Sequence, residues 1–299
     1  MTPNRTDTHT RITNEIVAAI EAGTGSWKMP WHHDGRATSR PHNVASNRPY
    51  RGINVLLLWA AASTAGFADG IWGTYRQWQA KGAQVRKGEH GSTVVLWKPF
   101  ERGDRSDDGE QDDGGRRGVY ARCFTVFNGE QVDGYEPEPV AQLDETMRFA
   151  HADAFVANLG IECEYGGDTA YYSPIADRVH MPHFRQFKDA LGFYGTLLHE
   201  HGHASGAKHR LDRDLTGSFG SATYAAEEIC VEILSGFILA DLGLAHHPRP
   251  DHAAYVASWL KALRGDPRAI FAAASRAQAA ADWMHAQQTD GAERAGLAA

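Results

Sequence analysis

Two histidines four residues apart, with a glutamate beside the first, constrain this chain more than any other feature: His199-Glu200-x-x-His203. Only an α-helix stacks residues i and i+4 on one face, so the segment GFYGTLLHEHGHAS must be helical if both imidazoles are to meet one ion. Leu197 and Leu198 give that helix an apolar back, which needs a core behind it. Glu200 then flanks the open coordination position, where a general base belongs. The fold must supply this helix, the core beneath it and a further ligand from another element.

The further ligand is expected in TYAAEEICVEILSGFILADLG, where Glu228 and Glu232 are again four apart on a second helix, backed by Ile229, Ile233, Phe237 and Ile238. One of the two carboxylates is expected to bind the ion while the other braces a ligand imidazole; the spacing resembles the E-x-x-x-D of thermolysin-like gluzincins, which implies Glu228 as the third ligand and Glu232 as the outer carboxylate. Glu227 reads as a first-turn charge favoured by the helix dipole. His209 competes for the third position, because the chain also satisfies the longer metzincin pattern H-E-x-x-H-x-x-G-x-x-H. Those enzymes need a methionine turn under the metal, and Met284, the only methionine beyond His209, sits in a helical pattern. Two histidines and a carboxylate make zinc the default, while manganese or another divalent ion fits similar ligands. The reaction class is peptide hydrolysis, with Glu200 taking a proton from the attacking water. A strand edge, Ala170 to Ser173 or Val179 to Met181, is expected to align an extended peptide.

Elsewhere the chain divides by charge. The first 100 residues hold 12 Lys/Arg against 6 Asp/Glu, and the remainder holds 18 against 31, so the net charge of -7 hides a basic part and an acidic one. A basic part rich in aromatics suits a polyanion. Helices are expected over Arg11 to Ala22 and through VLLLWAAAST, followed by strands at Thr93 to Trp97 and Val119 to Phe127. Residues Glu101 to Arg117 contain no apolar side chain and read as a mobile acidic hairpin tip. The proline-rich DGYEPEPVAQ places a boundary near Val140 and divides the chain into domains 1–138 and 139–299. The second part reads as a helix, three short strands and then helices to the end, an α+β arrangement. The three cysteines of the whole chain are too scattered for a disulfide framework. No apolar run approaches the roughly 18 residues of a membrane span, and the N-terminus has no apolar signal segment, so a cytoplasmic location is expected.

Aromatics interleaved with cations are how single strands are gripped, by base stacking and phosphate contact. The expected contacts are Trp27, Lys28, Trp31, Arg48, Tyr50, Arg51, Asn54, Trp72, Tyr75, Arg86 and Lys87, with Trp59 and Trp97 assigned to the core. The order of W-K-x-P-W, N-x-x-S-N-R-P-Y-R-G-I-N, W-x-T-Y-x-Q and G-A-x-V-R-K-G-E-x-G resembles the N-terminal domain of ArdC-type antirestriction proteins. Y-x-T-L-x-H-E-x-G-H, R-L-D-R, F-G-S and Y-A-x-E-E-x-x-x-E resemble that family's zincin-like domain. The resemblance implies a two-domain α+β protein that binds single-stranded DNA, protects incoming plasmid DNA from host restriction endonucleases and acts during conjugation. Where the family commonly has His, this chain has Ala207, and His209 replaces a small polar residue. Two other readings fit the same residues: a cytosolic DNA-associated metallopeptidase whose substrate is a protein such as a restriction component, and a strand-coating module with a structural metal.

Overall fold

The computed structural model describes residues 8–23, 40–99, 119–136, 144–218, 220–244 and 252–297. Trp27, Lys28, Trp31, the acidic segment 101–117 and the expected boundary at Val140 lie outside them.

α1 (Thr8–Gly23) buries Ile12, Ile16 and Ile20 completely, the face that their spacing predicts. After the short β1 (His42–Asn43), α2 (Ile53–Ala65) is apolar all round, as a helix must be when both of its sides are covered. Its Leu58 and Ala62 pack with Trp72, Val94 and Val126, whereas Val55, Leu56, Leu57 and Trp59 enter the main core. Gly66, at a left-handed φ of 75°, ends the helix.

β2 (Ile71–Gly73) leads into α3 (Tyr75–Ala80), whose start is fixed by a capping box between Thr74 and Gln77. β3 (Gln84–Val85) follows, then β4 (Ser92–Pro99) and β5 (Val119–Asn128), and β6 (Val132–Asp133) pairs back onto β3. The expected hairpin is present: β4 and β5 pair antiparallel from Ser92 opposite Val126 to Pro99 opposite Val119. They join β1 and β2 in a sheet of order β1-β2-β5-β4. Asn54 fastens α2 to this sheet, accepting from the Val95 N–H at 2.7 Å and donating to the Val95 carbonyl at 2.8 Å.

The second half opens with α4 (Glu145–Asn158), capped by Asp144. β7 (Glu162–Tyr165), β8 (Tyr171–Ser173) and β9 (Arg178–Met181) form a sheet of order β7-β9-β8, with β8 antiparallel and β7 parallel to β9. Val179 to Met181 is therefore the middle strand and offers no edge, which corrects half of the sequence expectation; β8 remains an edge. α5 (Ala190–Ser205) starts at the Asp189 cap, and α6 (Ala222–Asp241) at the Ser221 cap. α7 (His252–Gly265) and α8 (Ala269–Leu297) complete the layer. The content is α+β throughout. One hydrophobic core runs across both halves, joining Ile12, Ile16, Leu56 and Val95 to Phe155, Leu198, Ile233, Phe237, Trp259 and Met284. No described helix is long and apolar enough to cross a membrane.

Candidate metal centre

α6 is buried almost throughout and forms the middle of the helical layer, so carboxylates on its α5-facing side are held away from water. The two helices approach closely at Gly202, where a Cβ would meet Val231 Cγ1 at 2.6 Å. That approach brings the histidines of α5 to the glutamates of α6. His199, His203 and Glu228 offer ligand atoms that all lie within 4.8 Å of one another. The two Nε2 atoms are 3.1 Å apart, and Glu228 reaches them at 3.5 Å and 3.4 Å.

The outer nitrogens of the two rings decide what the inner ones present. His203 Nδ1 is 3.3 Å from Glu227 Oε1, and His199 Nδ1 is 3.5 Å from Glu232 Oε2. Carboxylates at both positions favour Nδ1–H in the neutral rings, so that two Nε2 lone pairs converge on one point once His203 gives up its second proton. A cation is the partner that such a donor set fits. Burial opposes charge on His203, but Glu227 and Glu228 outweigh it and hold the imidazole well above its ordinary range. Burial likewise raises Glu228, and His199 and His203 more than reverse this, so it stays ionised far below the usual carboxylate range.

Glu227 corrects the sequence reading, which made it a solvated first-turn charge. It is 8% exposed and grips Arg213 through two contacts of 2.8 Å and 3.0 Å while facing His203. Arg213 also donates to Ser205 Oγ at 2.9 Å and to the Gly202 carbonyl at 2.7 Å. Burial lowers its charge preference, and Glu227 more than restores it. His209 stands elsewhere: it is exposed, its Nε2 3.3 Å from Asp177 Oδ2, outside the ligand cluster. Arg210 pins the same Asp177 at 2.7 Å and 2.9 Å, tying the end of α5 to the turn between β8 and β9.

The cluster opens into a cavity of about 330 Å³ lined by Glu200, Tyr171, Tyr172, Asp214, Leu215 and Tyr224 among others. Glu200 is buried beside the ligands. The edge strand β8 forms one wall and the segment between α5 and α6 the other.

The nucleic-acid candidates separate into groups. Tyr75, Arg86 and Lys87 are exposed and line one groove of about 500 Å³ with Gln84 and Phe127. Arg86 is held within it by Glu89 at 2.8 Å and by the Glu130 carbonyl. Arg48 is exposed, and Arg51 is exposed and paired with Asp282 of α8 at 2.5 Å. Tyr50 is half-buried and its hydroxyl accepts from Asn43, so only part of the ring is open. Asn54 is spent on the Val95 backbone. Trp72 is 1% exposed and belongs to the core, so it stacks on protein and on no base. Trp97, assigned to the core from sequence, is instead 37% exposed against His9 and Phe271, because β4 is the edge of its sheet. Trp59 is buried as expected.

Comparison with known proteins covers both halves. Residues 150–276 match the zincin-like metallopeptidase family, and residues 6–127 match the N-terminal domain of anti-restriction factor ArdC. Protein y4eC of Sinorhizobium fredii is 58% identical over 289 residues, 95% of this chain and 94% of that one. A DNA primase TraC of Escherichia coli is 37% identical over 290 residues, 92% of this chain but 27% of its own length. The metal-free crystal structure of antirestriction ArdC from plasmid R388 superposes with a TM-score of 0.78 at 38% identity, covering 95% of this chain and 98% of that one. Its Mn(II)-bound structure gives 0.76 at 38% identity over 94% and 98%.

Proposed function

The chain belongs to the ArdC family of antirestriction proteins, and from that membership we propose that it binds single-stranded DNA and shields incoming plasmid DNA from host restriction endonucleases. The observation that carries this reading is the likeness to the R388 protein along 95% of the chain, which spans both halves rather than one module. The groove of Tyr75, Lys87 and Phe127, with Arg48 and the exposed Trp97 as further candidates, supports a strand-binding role for the first half.

The second half is proposed to hold a divalent ion on His199, His203 and Glu228, zinc by ligand chemistry or manganese as in the R388 relative. Three protein ligands opening onto a cleft favour a catalytic site over a structural one, which would be closed by a fourth ligand. A bound divalent cation supplies Lewis acidity to water and to a peptide carbonyl. Glu200 takes the proton of the attacking water on its carboxylate and passes it to the leaving amine. Glu227 and Glu232 keep the two imidazoles in the ligating tautomer. β8 lies at the cleft with an open edge, and an extended peptide backbone can add to it. The proposed peptide is a segment of a protein such as a restriction component, cleaved in the cytoplasm.

The test is plasmid transfer into restricting and non-restricting recipients with the wild type, Glu200→Gln and a Tyr75→Ala/Lys87→Ala double variant. Protection that disappears with the double variant supports the reading. Full protection by a chain that no longer binds single strands would refute it, and loss or survival in Glu200→Gln decides whether peptide hydrolysis contributes.

A further inference from the structure

The walls of the cleft carry a charge pattern that the metal centre does not explain. Asp214 lines the cavity on the side opposite β8 and is exposed. Its place is fixed by its neighbours. Arg213 is anchored on Glu227, its backbone N–H donates to the Gly206 carbonyl at 2.9 Å, and Thr216 donates its N–H at 3.0 Å and its hydroxyl at 2.6 Å to Asp214 Oδ1. Among the described residues no hydrogen bond or ion pair engages Oδ2. The hydrogen bonds from Thr216, with a smaller contribution from Arg276, keep the carboxyl below its usual range, so it is charged at neutral pH.

Two of the other carboxylates of the cleft are matched, and the third, Glu200, is buried beside the ligands. Glu227 is paired with Arg213, and Glu228 faces the two imidazoles. Among the described residues neither lysine nor arginine lines the cavity. Asp214 is thus a fixed negative charge on the rim, with Arg276 as a weak electrostatic neighbour and no ion pair among the described residues. The remaining lining includes Tyr171, Tyr172, Tyr224, Pro174 and Leu215, flat rings and apolar surface against which a methylene stem packs. At about 330 Å³ the cavity lies at the small end of ligand pockets, roughly 300 to 1,000 Å³, enough for one long side chain beside a scissile bond.

We infer that the cleft selects peptides carrying a lysine or arginine next to the bond presented to His199, His203 and Glu200, and that Asp214 is the residue that reads the positive charge. The inference rests on the peptidase reading of the site. A peptide laid along β8 sends alternate side chains across the cleft, and one of them reaches Asp214 while its stem covers the tyrosine rings. One partly exposed ion pair gives about fivefold discrimination.

Binding separates this from turnover. Full-length Glu200→Gln protein loaded with Zn(II) is titrated with fluorescein-labelled Ala/Ser octapeptides in which a single Lys, Gln or Glu is walked along the sequence, read by anisotropy. At one position Lys should bind about fivefold tighter than Gln, and Glu weaker still. Asp214→Asn keeps the Oδ1 acceptor for Thr216 and should erase the difference, and Asp214→Lys should reverse it. Equal binding of the three peptides, absence of binding by all of them, or a lysine preference that survives Asp214→Asn overturns the inference. Wild-type protein that binds the lysine peptide selectively and leaves it intact refutes the peptidase reading instead, with the charge selectivity standing.

Discussion

Replacing Gly202 by alanine places a methyl group where α5 and α6 touch. Its Cβ would lie 2.6 Å from Val231 Cγ1 and 3.3 Å from Leu234 Cδ2, against an ordinary carbon contact of about 3.5 to 4.0 Å. The helices must separate by roughly 1 Å, and overpacking of this kind costs about 1 to 3 kcal/mol. Alanine's better helix propensity returns about 1 kcal/mol, so the net loss of stability is only about 0 to 2 kcal/mol. Ligand geometry responds more sharply, because the same separation pulls Glu228 on α6 away from His199 and His203 on α5. Metal affinity should fall at least tenfold, by analogy with the roughly 10- to 100-fold effects of disturbing ligand support. Competition against a chromophoric chelator measures the affinity, and thermal melting of the metal-free protein measures the fold. Val231→Ala removes the struck methyl, and the double variant should recover most of the lost affinity. Gly202→Ala protein that binds metal within twofold of wild type, or a double variant no better than the single, would show that the contact between these helices does not set the site.

Because Glu227 and Glu228 raise the metal-free His203 to about 10, an incoming ion must displace its proton, and affinity should rise about tenfold per pH unit between pH 6 and 9. The same pairing stabilises the metal-free fold fully below the ordinary value of 6.5 and is lost as pH climbs through about 10; calorimetry in two buffers should count about one proton released. Arg213→Gln leaves Glu227 buried without its cation and should cost about 3 to 5 kcal/mol in urea unfolding; a loss under 1 kcal/mol would contradict the pairing drawn here. Asn54→Ala removes both hydrogen bonds to Val95 and should cost about 1 to 3 kcal/mol, with faster hydrogen exchange at the Val95 amide; unchanged exchange would count against that role.

Periodicity located the elements because each has a single environment. Ile12, Ile16 and Ile20 face one core, and α6 buries Ile229, Ile233, Phe237 and Ile238, the side that its pattern marks. The metal cluster was legible for a related reason, since spacings of four on helices imply shared faces whatever the tertiary structure. What the sequence left open depends on which surfaces meet. Trp72 and Trp97 have the same side chain, but Trp72 lies on an inner strand under Phe67 and Leu58 while Trp97 lies on edge strand β4. Glu227 looks like any first-turn acid until Arg213, fourteen residues earlier, folds back onto it. A proline-rich stretch suggests a boundary, yet α2 is apolar all round because the two halves close over it into one core. Only pairing across the chain supplies that information.

The claim on which the rest depends is that His199, His203 and Glu228 together hold one divalent ion, and elemental analysis of purified full-length protein tests it most directly. About one zinc or manganese per chain is expected in the wild type, in Glu200→Gln and in His209→Ala, none in His199→Ala or His203→Ala, and a strongly reduced content in Glu228→Ala. Full metal content in Glu228→Ala together with its loss in His209→Ala would contradict the site described here.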